Sequence, residues 1–163
     1  MKIIKKNWEL IIFFISVIAI SSAFLAEYVF NILPCKMCLN QRYPYYFLIF
    51  LCLIYLIIKN LNKKIFFFLT EIALFYGLFY SLWHVGIEQK LLSGLEGCSM
   101  SFERNINLSD LKNQLLEQDI VSCDNINWSF LGISAATINA LITLLLLSIN
   151  TIFIININNE KKA

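Results

Sequence analysis

Charge is scarce in this chain. Only 15% of its 163 residues are Asp, Glu, Lys or Arg, while 59% are hydrophobic. That balance excludes an ordinary soluble domain and suggests a membrane protein. The net charge of +2 is too small for a nucleic-acid surface, so no nucleic-acid partner is expected. No segment repeats at a solenoid period and no low-complexity linker divides the chain, so a single membrane domain over residues 1–163 is expected. Histidine occurs once, which leaves few ligands for a closed tetrahedral metal site. Proline occurs twice, at Pro34 and Pro44, on either side of one cysteine motif.

What the chain has in quantity is uninterrupted apolar sequence. One run extends from Leu10 to Ala26, uncharged between Glu9 and Glu27. A second lies between Arg42 and Lys59, and a third from Ile65 to Val85 is broken only by Glu71 and His84. A fourth, from Trp128 to Ile157, carries no charge. A bilayer core about 30 Å thick takes roughly 20 residues per helix, and a lone spanning segment must satisfy its own backbone, so helices are expected. The predicted fold is an all-α four-transmembrane-helix bundle, with spans at 9–29, 38–58, 65–86 and 129–156 and outer loops at 30–37 and 87–128.

Lysines set the orientation. Lys2, Lys5 and Lys6 precede the first span, Lys59, Lys63 and Lys64 separate the second from the third, and Lys161 and Lys162 follow the fourth. These segments share one face, which the positive-inside rule makes cytoplasmic. The loop from Gly86 to Asn127 then lies outside. It is acidic: Glu88, Glu96, Glu103, Asp110, Glu117, Asp119 and Asp124 stand against Lys90, Arg104 and Lys112. Trp8, Trp83 and Trp128 fall at span ends, as an interfacial aromatic belt would have them. The first span also resembles a cleavable signal ending near Ser21-Ser22-Ala23, but its apolar run continues through Phe24 and Leu25, which favours a retained helix.

Of the five cysteines, Cys35, Cys38, Cys98 and Cys123 fall on the outer side, where disulfides persist, and Cys52 reads as a small buried hydrophobe. Cys35-Lys36-Met37-Cys38 has the CxxC spacing of a redox dithiol. The uncharged stretch Tyr43 to Ile58 gives only about 24 Å of helix, whereas extension back to Cys38 gives about 31 Å and fits a bilayer. Cys38 is therefore expected near a helix N-terminus, where the dipole and Arg42, one turn on, favour a thiolate. Arg42 also reads as an interfacial anchor that snorkels to headgroups. Cys98 and Cys123 bracket a loop whose closure is worth roughly 3–4 kcal/mol, as a structural staple or as an exchangeable disulfide. The second dithiol on the same face favours a relay.

Three further features stand out. Leu108, Leu111 and Leu115 recur at helical spacing with Ser109 and Asp110 as caps, consistent with a short amphipathic helix in the outer loop. His84, near the outer end of the third span, is either an interfacial hydrogen-bonding residue or a contact for a quinone headgroup. Glu71 is an intramembrane carboxylate, with a structural role (reaching the interface or pairing with Lys64) the stronger reading.

Taken together, several segments resemble the disulfide bond formation protein B family. They are Leu33 to Arg42, reading LPCKMCLNQR; Trp83 to Glu88, reading WHVGIE; Gly97-Cys98; Cys123-Asp124; and Trp128 to Ser134 with Asn139. The resemblance implies a bacterial inner-membrane enzyme with cytoplasmic termini and periplasmic catalytic loops. It implies that a soluble periplasmic thioredoxin-fold oxidant, DsbA-like, attacks Cys98. Cys123 is then released and reacts with Cys35, and Cys38 becomes the thiolate that reduces ubiquinone or menaquinone. It implies that Arg42 polarises the quinone and that His84 lies close by. Gln41 stands where the family is often acidic, and Ile138 where it often has tryptophan.

Two other readings compete. A vitamin K epoxide reductase-like enzyme also combines loop cysteines with CxxC, but there the loop pair usually comes first in the chain. A non-enzymatic metal-binding membrane protein would use Cys35, Cys38 and His84 as ligands and needs a fourth.

Overall fold

The computed structural model describes residues 7–58, 62–94, 122–123, 128–130 and 132–159. Among them are four helices: α1 (Trp8–Tyr28), α2 (Lys36–Ile57), α3 (Lys63–Glu88) and α4 (Ala135–Asn159). α1, α3 and α4 are each long and apolar enough to cross a membrane. α2 is 22 residues long, about 33 Å of helix, but its first turns carry Asn40, Gln41, Arg42 and several tyrosines, which dilute its apolar character. The expected amphipathic helix around Leu108 to Leu115 lies outside the described residues.

The all-α architecture carries one short extended segment, which shifts the start of the fourth helix. Before α4 the chain forms a short antiparallel pair, β1 (Ser129–Phe130) with β2 (Ile133–Ser134), in register Ser129 opposite Ser134 and Phe130 opposite Ile133. Gly132 turns this hairpin at φ 81, in the left-handed region where a side chain is strained. The fourth helix therefore starts at Ala135 and not at 129. The Ser134 hydroxyl accepts from the Thr137 N–H at 3.2 Å, an N-terminal cap that a strand-to-helix junction provides.

α3 packs most extensively on α4, followed by α1 on α2 and α2 on α3. α2, α3 and α4 converge at Gly77. A methyl group there would lie 3.2 Å from Pro44 Cγ and 3.5 Å from Thr143 Cγ2, so a side chain would fit only if Pro44 gave way by a few tenths of an ångström, and glycine allows the close approach as it stands. The main core joins Trp8 and Ile12 of α1, Leu48 and Cys52 of α2, Phe66, Phe67 and Leu74 of α3, and Leu146 and Phe153 of α4. Outward, Phe14, Ile18, Phe50, Phe68, Phe75 and Leu145 stay exposed, a surface that lipid accepts and water penalises.

At the end of the bundle away from the CxxC motif one sequence expectation changes, for Trp8, and the structural role expected of Glu71 gains its partners. Trp8 is not an interfacial belt residue: it is 1% exposed, stacks edge-on against Phe153, and donates from Nε1 to Asn150 Oδ1 at 2.9 Å. Glu71 faces α4, accepting from Asn150 Nδ2 at 2.6 Å and from the Thr151 hydroxyl at 2.5 Å. Trp128, by contrast, is 42% exposed.

Candidate functional site

The site forms where α2 begins. Cys35, φ −72 and ψ 167, is the N-cap of α2, and its sulfur accepts from the Cys38 N–H at 3.3 Å. The cap thus falls on the first cysteine of the motif, while Cys38 sits one turn inside. The two sulfurs are 3.1 Å apart and both are free thiols. Cys35 is buried; Cys38 is half-buried.

From α3, His84 reaches the same point. Its Nε2 lies 3.6 Å from Cys35 Sγ, and its Nδ1 lies 2.9 Å from Gln41 Nε2 of α2. At 4% exposure the ring is enclosed by protein, and both nitrogens face protein groups. In the neutral pair Cys35 Sγ donates to Cys38 Sγ; once ionised, Cys35 Sγ accepts from the Cys38 thiol, with the Cys38 backbone N–H and an imidazole nitrogen also turned toward it. The hydrogen bond from Cys38, reinforced by His84 and the Cys38 N–H, outweighs burial and holds the Cys35 thiol down at about 4 against an ordinary 9.0. These contacts favour the anion on Cys35 in the free, reduced pair.

Cys123 completes the cluster. It is disulfide-bonded, 1% exposed, and packs in one apolar cluster with Cys35, Met37 and Ile87, flanked by Cys38, Tyr80 and Trp83. A cysteine far along the chain is thereby brought to the CxxC motif. Cys98 lies outside the described residues.

Arg42 lies one turn beyond Cys38 on α2. Its Nη1 donates to Glu27 Oε2 of α1 at 2.7 Å, and the guanidinium stands 5.5 Å above the Phe24 ring centroid. Among the described residues this pair uses one of the five guanidinium N–H donors, which leaves others for a carbonyl oxygen. An apolar aromatic wall, a cationic donor and a half-buried thiol on adjoining turns fit the needs of a quinone ring.

Several residues around the thiols were not singled out as site residues from sequence. Glu88, one turn after His84, places Oε1 3.9 Å from His84 Nε2 and accepts from the Ser134 hydroxyl at 2.6 Å. Asn139 of α4 donates to Gln41 Oε1 at 2.9 Å and to Ser81 Oγ at 2.7 Å, and accepts from the Tyr45 hydroxyl. Their signal in sequence was weak: Glu88 and Asn139 appeared only as parts of motifs, and Ser81 and Tyr45 not at all. The sulfurs of Cys35 and Cys38 and a ring nitrogen of His84 all lie within 4.8 Å of one another, a three-donor cluster where a tetrahedral metal site takes four.

Comparison with known proteins agrees with this arrangement. The family model described as Disulfide bond formation protein DsbB matches residues 5–153. An uncharacterised protein of Rickettsia prowazekii (strain Madrid E), RP370, is 33% identical over 144 residues, covering 87% of this chain and 83% of that protein. No solved structure matches. A membrane bundle with a CxxC motif capping one helix, a bonded third cysteine packed against it, and a family match over nearly its whole length, this chain belongs to the DsbB family of membrane disulfide-forming oxidoreductases.

Proposed function

We propose that this chain reoxidises a soluble periplasmic thioredoxin-fold dithiol protein, DsbA-like, and passes the electrons to ubiquinone or menaquinone. The observation that carries the reading is the packing of bonded Cys123 in one cluster with the free Cys35 and Cys38. Two pairs held this close can exchange; a plain staple has no need of a thiol pair beside it.

In this reading the bundle has four spans, α2 included, in the inner membrane. The lysine-rich segments and both termini are cytoplasmic, and the CxxC mouth is periplasmic. Cys98 is the partner of Cys123. A thiolate of the soluble partner attacks Cys98, and Cys123 leaves as a thiolate. Cys123 then attacks Cys35 of the oxidised Cys35–Cys38 pair, and Cys38 leaves as a thiolate. The partner's second thiol closes its own disulfide and releases Cys98, which attacks Cys123, restores the second pair and frees Cys35. The net change in the partner is the loss of two electrons and two protons. They then reside on Cys35 and Cys38, whose disulfide re-forms when the electrons leave.

A quinone held beside Cys38 and Arg42 would supply the two-electron sink. Cys38, the more exposed residue of the pair, would face that acceptor, with Arg42 presenting its remaining donors and Glu27 and Phe24 holding the guanidinium in place. His84, buried with both nitrogens directed at protein, serves the thiol pair from behind.

The test is direct turnover. Detergent-purified protein is mixed with a reduced thioredoxin-fold donor and a quinone, and quinone absorbance is followed. Loss of quinone in step with donor disulfide formation is expected. No loss with either quinone, together with stoichiometric bound metal, would move the protein to the metal-binding class.

A further inference from the structure

The polar side chains behind the thiols form a hydrogen-bond chain with a fixed direction. The Ser81 hydroxyl has a single hydrogen, which it gives to the Gly77 carbonyl at 2.7 Å. Toward its other neighbour it is therefore an acceptor, and it takes a bond from Asn139 Nδ2 at 2.7 Å. That fixes which end of the Asn139 amide points inward. The same nitrogen donates to Gln41 Oε1 at 2.9 Å, which turns the Gln41 amide nitrogen toward His84 Nδ1 at 2.9 Å. The Tyr45 hydroxyl, donating to Asn139 Oδ1, agrees with this orientation. An imidazole nitrogen facing an amide N–H carries no hydrogen of its own. The ring proton therefore sits on Nε2, which lies 3.6 Å from Cys35 Sγ and 3.9 Å from Glu88 Oε1.

We propose that Ser81, Asn139 and Gln41 are positioning residues that hold His84 in its Nε2–H form, so that the ring presents a donor to the Cys35 sulfur. The chain draws one residue from each of three helices: Gln41 from α2, Ser81 from α3 and Asn139 from α4. Gln41, Ser81 and His84 are buried and Asn139 is half-buried, and an amide turned the wrong way would leave two like groups facing each other. The same polarity works against metal capture, because coordination through Nε2 requires the ring proton on Nδ1, where the Gln41 N–H stands. Gln41 is the link at which chemistry would reverse the direction. A carboxylate there accepts from both neighbours and draws the ring proton to Nδ1. The neutral amide at this position is thus a property of this chain's own site. Its consequence for catalysis rests on the proposed electron transfer; its existence does not.

The chain contains a single histidine, so the measurement is free of overlap. The full-length protein, labelled with ¹⁵N only in histidine and reduced with excess dithiol in detergent, is observed by two-bond ¹⁵N–¹H correlation, whose pattern differs between the two neutral tautomers and the charged ring. The wild type is expected to give the Nε2–H pattern. Gln41→Glu is expected to move a proton onto Nδ1. Ser81→Ala, a smaller change, is expected to mix the two neutral forms. An Nδ1–H or charged ring in the wild type overturns the proposal, as does a Gln41→Glu or Ser81→Ala spectrum matching the wild type. The readout uses neither partner nor quinone, so it separates this inference from failure of the redox reading.

Discussion

Two buried polar clusters occupy opposite ends of the bundle, and both are organised by an asparagine of α4. At one end Asn139 joins Tyr45, Gln41 and Ser81 and leads through His84 to Cys35. At the other Asn150 joins Trp8, the Phe67 carbonyl and Glu71. The two asparagines lie about three turns apart, on one face of α4. Both networks stitch helices together, yet only the first ends on an oxidisable atom with a route to the outside. Glu71 accepts from Asn150 and Thr151, and among the described residues that network ends on no reactive group. An intramembrane carboxylate is a functional suspect by default, and here its partners make it structural. The lesson is that a polar network in a membrane bundle is to be judged by what its last member can do.

The sharpest way to break this comparison is to disable one atom in each cluster. Cys38→Ser should abolish quinone reduction, while Glu71→Gln should leave the turnover of folded protein within about twofold of wild type. Equal losses would erase the distinction drawn between the two ends.

The next effect is on titration. Because the Cys35 thiol is lowered from 9.0 to about 4, the reduced pair should keep its thiolate ultraviolet absorbance from neutral pH down to near 4. The sign is that of a depressed pKa. The stabilisation from the Cys35 anion is complete above pH 9, declines as pH falls, and is gone below about 4. Cys52→Ala should leave that absorbance unchanged. A midpoint near 9 would show that Cys38 and His84 do not favour the anion.

Smaller still is the effect at Arg42. Arg42→Ala should raise the quinone concentration needed for half-maximal turnover by about tenfold, the equivalent of one charge-assisted bond, with partner affinity unchanged. An unaltered quinone dependence would remove Arg42 from the acceptor side. Finally, Asn150→Ala should lower stability in detergent unfolding by about 1–2 kcal/mol with turnover retained. Loss of turnover without loss of stability would mean that the far cluster has a catalytic part after all.

Much of the arrangement was readable from the residues. Long apolar runs marked α1, α3 and α4, because a bilayer interior tolerates little else, and the CxxC spacing placed a dithiol at the start of α2. Other parts were not readable, for physical reasons. Trp8 reads as an interfacial tryptophan until Asn150, 142 residues away, is found accepting its N–H. Glu27 reads as a span boundary until it is found on Arg42. The hairpin at Gly132 hides inside an apolar stretch, since hydropathy does not register a positive φ.

Hydrophobicity, charge and spacing along one dimension were enough to place this chain in a membrane, to space its helices and to mark a CxxC motif with two further cysteines between its last two apolar runs. Only the tertiary structure decided which sulfur caps the helix, which cysteine packs against the motif, and which way the proton of His84 points. Those depend on helices distant in sequence meeting at Gly77, and on hydrogen-bond direction, which no linear pattern encodes.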